Sequence, residues 1–143
     1  MADTILITEG QSNKDVLDVG SYVVPFTGSG AIGGGNTRYI QPNGELWNAG
    51  EALYYIIPEA GTIVSMYAYA GILAGGADKL DLYVMLNGAQ QTMTIELGAA
   101  ETNDSTTSNQ VAVVAGDRIT IQGIASATSG SGDISVSIKI RID

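Results

Sequence analysis

Apolar and polar residues alternate with period two through most of this chain, the spacing of β-strands rather than helices. The final stretch shows it most regularly: Ile134, Val136, Ile138, Ile140 and Ile142 fall on one side, while Ser135, Ser137, Lys139 and Arg141 fall on the other. Residues 79–86 repeat the pattern with Leu80, Leu82, Val84 and Leu86. Asn87-Gly88 follows, a pair that accepts φ > 0 and reverses the chain in two residues. Residues 91–97 then run back, with Met93, Ile95 and Leu97 against Thr92, Thr94 and Glu96, so the spacing predicts a half-buried antiparallel hairpin.

The stretch 51–71 breaks the rule in an informative way. Two apolar runs, 52–57 and 62–70, flank Pro58-Glu59-Ala60-Gly61, where proline sets φ and glycine permits the turn. Strict alternation would place Ile63, Tyr67 and Tyr69 on one face of the second run and Val64, Met66, Ala68 and Ala70 on the other. Both faces are then apolar and need cover, one from the domain's own core and one from a further surface. The expected further surface is another copy of the chain.

The rest reads as short strands and loops. Residues 1–20 form an expected arm with short strands at 4–8 and 16–19, and 21–143 a single domain. Residues 21–27 read as a strand whose Pro25 marks an edge or a bulge. The following glycine run spells G-x-G-x-x-G, but no helix pattern comes after it to aim at a phosphate, so it is a loop. Pro42-Asn43-Gly44 is a turn, and Leu46 and Trp47 are placed at the edge of the core. The polar segment 101–109 reads as a loop, 111–114 as a strand, Ala115-Gly116-Asp117 as a turn and 118–122 as a strand with Ile119 and Ile121 inward. Gly123 suggests a bulge before Ile124, and 125–132 another loop. No segment carries a useful amphipathic helix pattern. The expected fold is all-β, an antiparallel sandwich or jelly roll.

Composition narrows the functions. Six Lys and Arg stand against fifteen Asp and Glu, a net charge of −9 that repels phosphate backbones and anionic membranes. Cysteine and histidine are both absent, so disulfides, Ser-His-Asp and Cys-His catalysis and the usual zinc cages are excluded. Carboxylate pairs such as Asp78 with Asp81 or Glu101 with Asp104 are read as solvated loop charges, and no catalytic residues are expected. Asn103, Asp104 and Asn109 offer hard oxygens suited to calcium without the regular ligand spacing, so no cofactor is expected. No window is apolar for long enough to span a bilayer, and the first twenty residues lack the basic and apolar regions of a signal peptide.

Five features in order carry a resemblance: Pro58 to Ile63, a long two-sided strand, Leu82 to Val84 before an Asn-Gly turn, Val114 to Ile119 (Val-Ala-Gly-Asp-Arg-Ile), and the alternating last strand. Together they resemble the trimeric jelly rolls of the tumour-necrosis-factor and complement type. Within that group the chain is most similar to the C-terminal domain of the collagen-like glycoproteins of the bacterial spore exosporium. The resemblance implies a homotrimer at the outer tip of a surface filament, hence a spore-surface or other extracellular location. The Gly-X-Y stalk of that group has no counterpart in residues 1–20, where the arm could instead link copies into a fibre.

Two functional readings follow. The first is a structural protein that self-assembles through Tyr54, Ile56, Val64, Met66, Tyr67 and Tyr69. The alternative is a carbohydrate-binding jelly roll in which Trp47, Tyr39 and Tyr55 stack on sugar rings. A phage coat or tip protein shares the architecture.

Overall fold

Among the described residues ten strands form: β1 (Ser21–Gly28), β2 (Thr37–Pro42), β3 (Tyr55–Ile56), β4 (Gly61–Ala70), β5 (Leu80–Leu86), β6 (Ala89–Leu97), β7 (Asn103–Thr106), β8 (Val111–Val113), β9 (Arg118–Ala125) and β10 (Ile134–Ile142). They come from a computed structural model that describes residues 20–29, 35–44, 48–51, 53–71, 79–98, 101–126 and 133–143. The expected arm, apart from Gly20, lies outside the described residues, as do Leu46, Trp47, Asp78 and most of the glycine run.

Every pairing among these strands is antiparallel. One sheet runs β1, β10, β4, with β7 and β8 end to end along the far edge of β4. The other runs β6, β5, β9, with β2 and β3 end to end along the far edge of β9. Consecutive segments thus pass between two packed sheets, the strand order of a jelly roll. A corner joins the sheets where Phe26 and Thr27 pair with Pro42 and Gln41. This pairing begins one residue after Pro25, so the proline sits where β1 has a ladder partner on one side only, Ser137.

The inward positions of both sheets fill one core. Phe26, Ile40, Ile63, Met66, Leu82, Met93, Ile121 and Ile138 are all fully buried in it. Each such side chain contributes about 1.5–3 kcal/mol relative to exposure, which is why the period-two pattern dictates which face turns inward. The Asn87-Gly88 hairpin forms as the dipeptide requires, with φ of 52° and 84°. At the end of the molecule where β1 starts, Ile142 N donates to Gly20 O at 2.6 Å and Asp143 N to Ala60 O at 3.2 Å.

Strict alternation fails in β4. Ser65 pairs with Lys139 and Ile63 with Ile140, leaving Val64 as an extra residue in a β-bulge. The bulge resets the phase, so Ile63, Met66, Ala68 and Ala70 all point into the core while Tyr67 and Tyr69 point out. Ile63 is therefore on the opposite face from the two tyrosines, and the expected continuous apolar outer face reduces to Tyr67, Tyr69 and half-buried Val64.

Three further expectations are corrected. Residues 103–106, expected in a loop, are β7, an edge strand whose exposed polar side chains leave no apolar signal. The run 52–57 contributes only the two-residue β3. Gly123 lies in unbroken register with Leu82, so β9 carries no bulge there, and Ala125 is buried in the same phase as Ile119 and Ile121.

Candidate functional site

The outward residues of β1, β10, β4 and β7 line up in rows across four strands. One row is Pro25, Ser137, Tyr67 and Ser105; the next is Thr27, Ser135, Tyr69 and Asn103. Tyr67 and Tyr69 are 64% and 55% exposed, although large aromatic side chains on a sheet commonly pack against neighbours. Their cross-strand neighbours are small hydroxyl and amide side chains, too short to cover a phenol ring. The two tyrosines are about 6.6 Å apart along the strand, so one extended ligand can touch both. Around them the face offers donors and acceptors from Ser105, Ser135, Ser137 and Asn103.

The outer face of the other sheet is taken up by its own contacts. Gln122 is only 8% exposed; its Oε1 accepts from Gln90 Nε2 at 2.7 Å and its Nε2 donates to the Tyr39 hydroxyl at 3.1 Å. Thr120, 2% exposed, donates to the Ile40 carbonyl at 2.7 Å. Asn48 pairs with Tyr39 through both backbone groups. Farther along this face Asp81 and Glu96 stand opposite each other, and Lys79 Nζ lies 3.6 Å and 3.1 Å from their carboxylates. Burial pushes the Asp81 carboxyl above its ordinary value, with Lys79 opposing and Glu96 adding to the shift.

Of the residues expected at a self-association surface, Met66 lies wholly in the core and Val64 is the half-buried bulge residue. Tyr54 is half-buried, its ring 5.1 Å from the Arg118 guanidinium carbon and its hydroxyl donating to Glu51 Oε2 at 3.3 Å. Ile56, Tyr67 and Tyr69 are exposed, but Ile56 is on β3 in the other sheet. Of the expected sugar-stacking residues, Tyr55 packs against Tyr22 with ring centroids 6.2 Å apart, and Tyr39 is half-buried with its hydroxyl engaged. Burial, and then Tyr55, push the Tyr22 phenol above its ordinary value. Trp47 lies outside the described residues.

One of the oxygens considered for calcium is engaged locally. Asp104 Oδ1 accepts from Ser105 N at 2.7 Å, while the amides of Asn103 and Asn109 donate to Thr102 Oγ1 and Thr92 O, each at 3.3 Å. Among the described residues no three acidic side chains come together. Glu101 Oε2 accepts from Gly98 N at 3.4 Å within its own loop.

The outward face of β10 was legible as polar, but its position beside Tyr67 and Tyr69 was not. Strand register is set by pairing between segments some 70 residues apart, and no local signal reports it.

No protein-family model matches the chain, and no curated protein matches it. Among solved structures it is similar to FlhE at 11% identity and a TM-score of 0.47, covering 85% of this chain and 98% of that one. It is similar to a family 35 carbohydrate binding module from Clostridium thermocellum at 14% identity and 0.44, covering 86% and 92%. A third likeness is to the CBM36-1 domain of a multidomain xylanase from the hindgut metagenome of Trinervitermes trinervoides, at 18% identity and 0.43, covering 84% and 95%. At these TM-scores none of them bears on function.

Proposed function

We propose that the chain is a non-catalytic module that binds carbohydrate on the outer face of the sheet formed by β1, β10, β4 and β7. The observation that carries this reading is the exposed pair Tyr67 and Tyr69, framed by Ser105, Ser135, Ser137 and Asn103. An aromatic ring has a negative face, and the C–H groups of a sugar ring are weakly positive, so the two stack while the sugar hydroxyls turn to polar neighbours. A face for a protein partner would be built differently. The buried centres of protein interfaces are depleted in serine, and serine surrounds both tyrosines here. Without histidine or cysteine the Ser-His-Asp and Cys-His arrangements are unavailable. A surface location, on a spore, cell or phage particle, belongs to this reading as the place where such glycans are met.

The test is affinity electrophoresis of the full chain through gels cast with a panel of soluble polysaccharides. Retardation by at least one, abolished in Tyr67→Ala/Tyr69→Ala with the melting temperature unchanged, supports the reading. Equal migration of wild type and double variant in every gel overturns it.

A second reading, self-association, is favoured by a different observation. Leu53, Ile56 and Val114 are 60%, 52% and 59% exposed. Ile56 and Val114 flank the place where Ile57 N donates to Asp117 O and Gly116 N to Ile57 O, both at 2.8 Å. Light scattering that gives a trimer or larger species in wild type and a monomer in Ile56→Asp/Val114→Asp would establish it. A monomeric wild type would dispose of it, and with it the spore-type trimer.

A further inference from the structure

The face that carries Tyr67 and Tyr69 differs in charge from the rest of this acidic chain. Two of the six cationic residues, Lys139 and Arg141, occupy successive outward positions of β10, and both are exposed. Among the described residues the ion pairs all involve Lys79, so neither of these two is paired. No outward position of β1, β10, β4, β7 or β8 holds a carboxylate. Asp104 of β7 stands in register with Ala68, on the alternate set, and its Oδ1 accepts from Ser105 N. Asp133 and Asp143 lie just beyond the two ends of β10.

Register places one of these cations beside Tyr67 and the other farther along the same line. Ser137 is directly opposite Tyr67, and Lys139, opposite Ser65, is the next outward residue along β10. Lys139 is thus a diagonal neighbour of Tyr67, about 7–8 Å away at the backbone and within reach of a lysine side chain. Arg141 continues the line opposite Thr62. On a chain of net charge −9, two successive cations that lead away from Tyr67 and make no ion pair among the described residues favour a ligand that carries negative charge.

We infer that the carbohydrate held here is an acidic one, a polysaccharide of uronic-acid type whose rings stack on Tyr67 and Tyr69 and whose carboxylates meet Lys139 and Arg141. The inference rests on the carbohydrate reading above and specifies its substrate class. A single-stranded nucleic acid would combine stacking and charge in the same way and, like a uronate polymer, carries one charge per unit. The serine and asparagine side chains around both rings, matched to sugar hydroxyls, favour the uronate, and oligothymidylate is the control.

Isothermal titration of the full chain with oligogalacturonate and with its methyl ester, at low ionic strength, tests the inference. The acid is expected to bind about fivefold more tightly, the yield of two solvent-exposed charge pairs, and to lose the advantage by about 0.5 M salt. Lys139→Ser/Arg141→Ser is expected to equalise the two ligands while keeping the affinity for the ester. Equal affinities in wild type, an advantage that survives in the double variant, or tighter binding of oligothymidylate through the same cations would each overturn it. If the ester binds and Tyr67→Ala/Tyr69→Ala removes it while the acid gains nothing, only this inference falls. If neither sugar binds, and no polysaccharide retards the chain, the carbohydrate reading falls with it.

Discussion

Asn87 and Asp117 clasp two turns at one end of the sandwich: Asn87 Nδ2 donates to Asp117 Oδ1 at 2.9 Å, and Asn87 Oδ1 accepts from Arg118 N at 2.9 Å. Asp117 Oδ2 accepts in turn from Val114 N at 2.8 Å. The amide of Asn87, and then the backbone N–H of Val114, hold the Asp117 carboxyl below its ordinary value of 3.8. The folded chain therefore releases this proton more readily than the unfolded chain. Its stabilisation is complete above the ordinary value and disappears as pH falls through the folded one. Melting temperature followed from pH 6 down to about pH 2 is expected to fall less steeply in Asp117→Asn than in wild type.

The bulge at Val64 separates neighbouring residues into different roles. Met66→Ala is expected to lower the unfolding free energy by about 2–5 kcal/mol, because a fully buried side chain is lost and a cavity is left. Tyr67→Ala, at an exposed position on the same strand, is expected to change it by less than ~0.5 kcal/mol. Urea titrations with unchanged slopes would measure both.

Removing the bulge should be tolerated. With Val64 deleted, Ile63 and Ser65 follow Ile140 and Lys139 without a register shift, and Met66 keeps its place opposite Ile138. The variant is expected to fold with a loss of about 1–2 kcal/mol from the half-buried valine. Deleting Ala68 instead would send one end of β4 to the wrong face, and no cooperative melt is expected by circular dichroism.

Gly61 has no room for a side chain. A Cβ there would run into the Arg141 carbonyl oxygen on the paired strand, and backbone cannot rotate aside. Gly61→Ala is expected to destabilise the fold by about 1–3 kcal/mol. Around Gly50 nothing lies within 4 Å, so Gly50→Ala serves as the neutral control in the same thermal melts.

What the sequence made legible was whatever depends on a single segment. The alternation of Ile134 through Ile140 places each of them in the core, and Asn87-Gly88 gives the turn that its backbone freedom demands. Features that depend on a partner strand were hidden. Nothing local to Ile63-Val64-Ser65 announces the bulge, which exists only relative to Lys139 and Ile140. Asn103 to Thr106 form a strand because the edge of β4 is open to them, against their own weak propensity. The candidate site followed the same division: the sequence offers Tyr67 and Tyr69 only among six self-association residues, with Trp47, Tyr39 and Tyr55 for sugar stacking, and Ser135, Ser137 and Lys139 join the two tyrosines only through register.

Gly20 and Asp143 come out side by side, on the strand ends opposite those where Thr27, Ser135 and Tyr69 share a row. A tether fused after Asp143 would leave the molecule from that pole. Such a chain immobilised on a sensor chip or bead by a C-terminal tag would stand upright with both phenol rings turned sideways into solvent, ready to meet a long polymer passing along its flank.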